Sequence, residues 1–165
     1  MYRKDREMPA EFALGIIDKC PYAVMAVNGT DGKPYCLPLS ISREGDYVYF
    51  HCAAKGYKLE CLNENPYVCV TCVGDVTPAT DKFTTEYESA VFSGHASEVT
   101  DKGEKIMALR SIALRYTPSN MSEFDQAMER SLERTHIWKI KIEALTGKRK
   151  KYDKDGIEMK HGRME

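Results

Sequence analysis

The chain has 165 residues, enough for one domain of ordinary size with a real hydrophobic core. Hydrophobic residues make up 42% of it and charged residues 30%, a balance typical of a globular protein in water. The net charge of −1 provides no overall field that would attract nucleic acid or a membrane surface, so neither is expected as a partner.

The sequence also indicates a location. No apolar run approaches the roughly 20 residues that cross a bilayer. Residues 1–7 are mostly charged and lack the apolar stretch of a signal peptide. We therefore expect a cytoplasmic protein. The one basic run, residues 148–151, could contact a phosphate or a nucleic acid, but a solvated segment near the C-terminus is the simpler interpretation.

Six cysteines are scattered through predicted strands rather than framing loops, and in a reducing compartment they would act as small apolar residues. Cys69 and Cys72 have the CxxC spacing of redox and zinc sites. Within a strand, however, positions three apart point to opposite faces. No metal site is therefore expected.

Turn residues and apolar periodicity divide the chain into short elements. The predicted helices cover residues 9–19, 55–64, 100–116 and 122–133. The predicted strands cover residues 22–27, 34–42, 47–52, 67–73, 82–99 and 135–146.

These elements predict a mainly β fold, with peripheral α-helices around an antiparallel barrel of about six strands. Gly94 permits a bend or bulge in the long segment over residues 82–99. Residues 1–152 would form a single domain, followed by a polar and frayed tail over residues 153–165. The pattern alone does not distinguish one kind of antiparallel barrel from another.

The most informative segment is residues 49–66. A strand rich in aromatic residues ends in a loop of small residues, and a short helix follows with Lys55 and Lys58 in its first turn. Unsatisfied N–H groups at a helix start attract phosphate, and the two lysines would add full positive charges. Ordinary surface lysines on a solvated helix remain the alternative.

The order of motifs in this segment is similar to a known family. Tyr-Phe-His at 49–51, Lys-Leu at 58–59 and Asn-Pro at 65–66 resemble the flavin phosphate-binding segment of the pyridoxamine 5'-phosphate oxidase-like split barrels. The charged start at 3–7, and the Trp-Lys-Ile and Thr-Gly-Lys motifs within 138–148, resemble the nitroimidazole-resistance (Nim-type) branch. The resemblance runs over nearly the whole chain and implies a split barrel that binds FMN.

The resemblance also implies a homodimer, with flavin sites at the subunit interface and each site completed by the partner. Pro38 indicates where the flavin ring would lie. A proline offers the sheet no N–H group, so it marks an edge or a gap between strands. An ordinary edge strand is the alternative. The implied cofactor-binding residues are Leu37, Pro38, Leu39 and Ser40 at the ring, His51, Cys52, Lys55 and Lys58 at the ribityl chain and phosphate, and Tyr87, Ser89, Trp138 and Lys148 from the partner side.

Two functions remain open from the sequence. The first is an FMN-dependent oxidoreductase that passes electrons to a small flat acceptor; nitroimidazole reduction is the activity implied by the resemblance. The second is a carrier or sensor that holds flavin or haem without turnover, with His51 or His95 as an axial ligand to haem iron. No catalytic triad or HExxH motif is detectable, and a bound flavin would supply the redox chemistry itself.

Overall fold

The computed structural model describes residues 2–161 of the chain, which form nine strands, four α-helices and three short 3₁₀ turns. The α-helices are α1 (Ala10–Lys19), α2 (Tyr57–Glu64), α3 (Lys102–Tyr116) and α4 (Phe124–Ser131). The strands are β1 (Glu7–Met8), β2 (Ala23–Asn28), β3 (Pro34–Leu39), β4 (Ser42–Glu44), β5 (Tyr47–Cys52), β6 (Tyr67–Ala79), β7 (Thr84–Glu98), β8 (His136–Lys141) and β9 (Ala144–Lys150).

All strand pairs are antiparallel, and the sheet runs in the order β3-β2-β6-β7-β8-β5-β4. Strand β9 pairs with β7 and also with the short β1. The two ends of this order, β3 and β4, follow each other directly in the chain but do not pair. The sheet therefore curls into a barrel that stays open beside β3, as the split-barrel interpretation predicts.

The long strand β7 changes partner at Gly94. Its first part pairs with β9 through Ser93, and its last part pairs with β8 from Ala96 onward. A Cβ atom on Gly94 would lie only 1.8 Å from the carbonyl oxygen of Lys141. Glycine is therefore required here for close backbone approach, and the bend expected at this position is confirmed.

Two hydrophobic cores lie on opposite sides of β5. Phe50 packs in the main core with α1 and the inner face of the sheet, whereas Tyr49 packs in a second core with α3 and α4. Consecutive strand residues point to opposite faces, so the aromatic pair of β5 serves both cores. Fully burying each such side chain stabilises the fold by about 1.5–3 kcal/mol.

Two predicted strands are each divided in the structure. The segment predicted as one strand over residues 34–42 breaks at Ser40 and Ile41 into β3 and β4. The segment over residues 135–146 turns after Lys141, so that β8 and β9 pair with different regions of β7. In both cases the alternation continues through the break, which is why the sequence pattern did not reveal it.

The basic run at 148–151 is not a solvated tail segment, because three of its residues lie within β9 and are half-buried.

The described part of the C-terminal tail is also held in place rather than frayed. Glu158 accepts hydrogen bonds from Arg6, and the Lys160 ammonium group pairs with Asp5. None of the helices within residues 2–161 is long and apolar enough to cross a membrane.

The CxxC pair has the geometry that a strand predicts. Cys69 is exposed and Cys72 is buried, on opposite faces of β6. Within residues 2–161, no group of three or more His, Cys, Asp or Glu side chains is placed to hold a metal ion.

Candidate functional site

The loop between β5 and α2 is built differently from the sequence prediction. Gly56 has a φ of +142°, a value that favours glycine, and it precedes the first helical residue, Tyr57. Lys58 therefore lies in the first turn of α2, whereas Lys55 lies in the exposed loop before the helix. The expectation that both lysines share one helical turn is wrong, because the backbone at Gly56 is not helical.

The side chain of Lys58 is held against the end of β5. Its Nζ atom lies 5.2 Å from the centre of the Phe50 ring, within the range of a cation–π contact. The first N–H groups of α2 have no acceptor within the helix, since the N–H groups of Leu59 and Glu60 are the first to bond back, both to the Gly56 carbonyl. The half-buried Lys58 and helix-start N–H groups that have no partner among the described residues thus lie together in the first turn of α2.

His51 and Cys52 end β5 directly before this loop. Desolvation lowers the pKa of His51, and the positive charge of Lys58 lowers it further. The His51 imidazole is therefore neutral at pH 7, although it keeps access to solvent. Burial raises the pKa of Cys52, so its thiol stays protonated and offers only a weak hydrogen bond.

The open side of the barrel lies along β3. Within residues 2–161 this strand pairs only with β2, with Pro38 opposite Val24, so the missing N–H group of Pro38 interrupts no hydrogen bonds to a second strand. Pro38 and Ser40 are exposed, Leu37 is half-buried and Leu39 is buried. Pro38 thus marks an edge strand, and that edge is also the gap in the barrel.

A cleft of about 390 Å³ lies between α3, α4 and the strands. We call it the α3–α4 cleft. Ser40 and His51 both line it, so the structure brings two of the sequence-predicted site residues into one cavity. The helical residues that line it are Leu109, Ile112, Ala113, Tyr116, Thr117, Asn120, Glu123, Phe124, Ala127 and Met128. The sequence predicted a helix over residues 100–116, but no local signal indicated a cavity beside it.

The C-terminal end of α3 is tied to the break between β3 and β4. The N–H group of Ile41 donates to the Tyr116 hydroxyl oxygen at 3.1 Å. The Arg115 guanidinium group donates to the carbonyl oxygens of Ile41 and Ile17, at 2.9 and 3.0 Å. These bonds fix the backbone beside Ser40 and hold one wall of the cleft against the strand edge.

A sequence profile for the pyridoxamine 5'-phosphate oxidase family matches residues 10–149, most of the chain. This chain belongs to that family. A comparison with curated proteins finds no match.

Solved structures show the same fold. A proposed 5-nitroimidazole antibiotic resistance protein from Bacteroides thetaiotaomicron is 26% identical, with a TM-score of 0.73 over 86% of this chain and 85% of that chain. An FAD and haem binding protein from Mycobacterium smegmatis is 20% identical, with a TM-score of 0.73 over 88% of this chain and 73% of that chain. An FAD-binding protein from Mesorhizobium loti is 19% identical, with a TM-score of 0.63 over 87% of this chain and 96% of that chain.

In this member of the pyridoxamine 5'-phosphate oxidase family, a second group of predicted residues lies away from the β3 edge. Ser89 in β7 is directly opposite Lys148 in β9, and the Lys148 ammonium group lies 5.7 Å from the centre of the Tyr87 ring. Strands β2 and β6 separate β7 from β3, so at about 4.8 Å per strand this group lies some 14–19 Å along the sheet from the gap. Within one chain, the two groups do not form a single site.

Trp138 lies in β8 opposite Phe50 and is only 6% exposed. Its side chain belongs to the main core, and its indole N–H group is buried without a hydrogen-bond partner among the described residues. A flavin contact from Trp138 remains a prediction, and its packing instead favours a structural role in this family member.

His95 has a partner on the outside of the sheet. Its Nδ1 atom lies 2.8 Å from a carboxylate oxygen of Glu143, and it packs edge-on against the Tyr67 ring. His95 does not line the α3–α4 cleft, whereas His51 does. Of the two histidines considered as haem ligands, only His51 lies beside the gap in this family's barrel.

Proposed function

We propose that this protein binds FMN in the gap beside β3 and acts as a flavin-dependent oxidoreductase on a small flat electron acceptor. The observation that carries the proposal is the corner at the end of β5. There, Lys58 lies in the first turn of α2 and is close enough to His51 to lower the pKa of its imidazole, and His51 lines a cleft together with Ser40 at the β3 edge. Family membership and the FAD-binding proteins among the similar structures support a flavin as the ligand.

The corner suits the phosphate of FMN. A dianionic phosphate gains from helix-start N–H groups and from a nearby ammonium group, which here are those of α2 and Lys58. Lys55, exposed in the loop, can reach the outer side of the same phosphate. The Cys52 thiol adds little, and the neutral imidazole of His51 can donate or accept one hydrogen bond to the ribityl chain.

The flavin ring would lie along the exposed edge of β3, against Leu37, Pro38, Leu39 and Ser40. An edge strand leaves backbone N–H and C=O groups unpaired on its outer side, which a ring with a polar edge can use. Pro38 supplies a flat apolar contact without a competing N–H group. A bound flavin would supply the hydride and electron transfer, and the protein would bind and orient it.

A homodimer would complete the site, and the outer face of the sheet supports this part of the proposal. On this face, two rows of side chains run across β3, β2, β6, β7 and β9, and within each row the residues of neighbouring strands are directly paired. None of the ten residues in these rows is charged. In a chain with 30% charged residues, such a face is suited to packing against a second copy. The rows of this uncharged sheet face are Pro38, Val24, Thr71, Val91 and Thr146, and Cys36, Ala26, Cys69, Ser93 and Ala144.

The same face connects the two separated groups of predicted residues. Pro38 lies at its β3 edge, and Ser89 and Lys148 lie two residues beyond Val91 and Thr146 at its β9 edge. A twofold axis parallel to the strands would set β3 of one copy opposite β9 of the other. Lys148 of a second copy would then approach the flavin bound at the first.

The test is the absorption spectrum of the purified protein, followed by turnover. Flavin bands, and oxidation of a reduced nicotinamide by a nitroaromatic acceptor that depends on added FMN, are the expected results. A haem Soret band in place of flavin bands would instead support the carrier alternative, with His51 as the axial ligand. A colourless protein that binds no FMN in titration would contradict the proposal.

A further inference from the structure

The α3–α4 cleft has features that flavin binding at the β3 edge does not require. Its volume of about 390 Å³ falls within the range of small-molecule sites, roughly 300–1,000 Å³. One wall is apolar and comes from the two helices, with Leu109, Ile112, Phe124 and Met128 as its larger side chains. This combination suits one flat ring system.

The charges around the cleft restrict its ligand further. Among the described residues that line it, none is Lys or Arg, and Glu123 is the one that carries a full charge. Ser40, Tyr116 and Asn120 offer neutral hydrogen-bonding groups. The depressed pKa of His51 keeps its imidazole neutral at pH 7. A phosphate or carboxylate would therefore lose its hydration and meet no cationic side chain among the described lining residues.

We propose that the α3–α4 cleft is the binding site for the electron acceptor, and that it selects an uncharged flat aromatic compound with one or two polar substituents. The acceptor role rests on the proposed flavin function, whereas the binding of such a compound does not. Ser40 and His51 both line the cleft and belong to the proposed flavin site, Ser40 at the ring and His51 at the ribityl chain, so a ring in the cleft would be next to the cofactor.

The walls of the cleft are anchored independently of any ligand. Tyr116 is bonded to the backbone of Ile41, and Arg115 is bonded to the carbonyl groups of Ile41 and Ile17. At the other end of α3, Asp101 caps the helix by accepting a hydrogen bond from the N–H group of Glu104 at 2.7 Å. A preformed site loses little ordering entropy on binding, so the flavin-free protein should already bind the compound.

The first experiment compares two nitroaromatic probes of similar size, the uncharged 4-nitrobenzyl alcohol and the anionic 4-nitrobenzoate. Methyl NMR signals of Ala113, Ala127 and Met128 are followed in the flavin-free and the FMN-loaded protein. The alcohol should produce saturable shifts of these signals in both, and the anion should bind about tenfold more weakly. Equal affinity for the two probes, or no shift of these methyl signals, would overturn the inference.

The second experiment blocks the cleft. Ala127 is exposed, so Ala127→Phe can fill the cleft without disturbing a core; Gln126→Phe adds the same ring to the neighbouring exposed position outside the lining. Ala127→Phe should weaken binding of the alcohol by about tenfold or more while FMN affinity stays unchanged, and Gln126→Phe should change neither. Loss of FMN binding in Ala127→Phe, or displacement of the alcohol by FMN, would assign the cleft to the flavin and overturn the inference.

A charge reversal keeps the test informative if the blocked variant does not fold. Asn120 lines the cleft and is exposed, so Asn120→Lys places a cation there at little cost to the fold. This variant should bind 4-nitrobenzoate several-fold better than the parent protein does. An unchanged affinity would contradict the charge argument. If FMN does not bind at all while the alcohol does, the proposed function fails and the cleft assignment stands as a binding site.

Discussion

The ammonium group of Lys58 lies over the ring of Phe50, 5.2 Å from its centre. Phe50 is 1% exposed and belongs to the main core, so its position is fixed by packing. The contact therefore restrains the long and otherwise mobile side chain of Lys58 between the end of β5 and the start of α2. A positive charge that is already in place loses less entropy when it binds an anion than a free surface lysine does.

Replacing Lys58 tests this corner. Lys58→Ala should weaken FMN binding by about 1–3 kcal/mol, the usual range for the loss of a charged hydrogen bond. Lys141→Ala is a suitable control, because Lys141 is an exposed β8 residue that pairs with Tyr47, at the far end of β5. Flavin fluorescence titration measures both affinities. The same affinity in Lys58→Ala as in the parent protein would count against the phosphate assignment.

Gly56 should be sensitive to substitution for a backbone reason. Its φ of +142° is disfavoured for residues with a Cβ atom, although space around it is open. Gly56→Ala should destabilise the protein by about 1–3 kcal/mol and weaken FMN binding, because the loop would relax away from its present path. Gly15→Ala is the matched control.

Gly15 also has open space at its Cβ position but lies within α1 with ordinary helical dihedrals. Alanine there should stabilise the protein by about 0.5–1 kcal/mol. Urea denaturation gives both free energies of unfolding. If Gly56→Ala proves neutral, the backbone at this loop is not what holds the helix start in place.

The uncharged sheet face predicts how the chain associates. Val91 lies near its centre and is 37% exposed, so Val91→Lys adds a charge without filling the core. The variant should be monomeric in analytical ultracentrifugation and should bind FMN more weakly, since a charge without a partner is costly in an interface. Leu114→Lys is the control, because Leu114 is 54% exposed and lies in α3, which is not part of this face. A parent protein that is monomeric with flavin bound would exclude the two-subunit site.

Two ion pairs, Arg6 with Glu158 and Lys160 with Asp5, join the N-terminal segment to the C-terminal segment, and we call them the clasp. The clasp predicts an acid-sensitive contribution to stability. Hydrogen bonds from Arg6, and then from Lys160, lower the pKa of Glu158 from 4.5 to about 2. Because the folded pKa lies below the unfolded one, the stabilisation is fully present above about pH 4.5 and is lost as the pH falls towards 2. After allowance for solvent screening, it amounts to about 1–2 kcal/mol.

Glu158→Gln removes this titration. The free energy of unfolding of the variant should vary less between pH 5 and pH 2 than that of the parent chain, and the two should differ most near neutral pH. Glu129→Gln, at an exposed position in α4, should leave the pH profile unchanged. Identical acid profiles for Glu158→Gln and the parent protein would show that the clasp does not contribute.

Much of the framework could be predicted because its signals are local. Strand β5 has the bounds that alternation indicated, and α1 differs by one residue at its start. The bend at Gly94 could be predicted too, since a glycine inside a strand pattern commonly marks a bulge, a tight bend or a close backbone approach. Family motifs then distinguished the split barrel from other antiparallel barrels.

What the sequence did not reveal depends on contacts between distant residues. The break at Ser40 and Ile41 follows from the anchoring of Ile41 by Arg115 and Tyr116, more than 70 residues away. The position of Lys55 outside α2 depends on the backbone of one glycine. Neither the α3–α4 cleft nor the uncharged sheet face has a local signature, because each is assembled from elements far apart in the chain.

A crystal structure of the protein soaked with FMN tests the central claim most directly. We expect density for the phosphate within hydrogen-bonding distance of the Lys58 ammonium group and the first N–H groups of α2, with the flavin ring along the edge of β3. Flavin density elsewhere on the molecule, with this corner empty, would contradict the account.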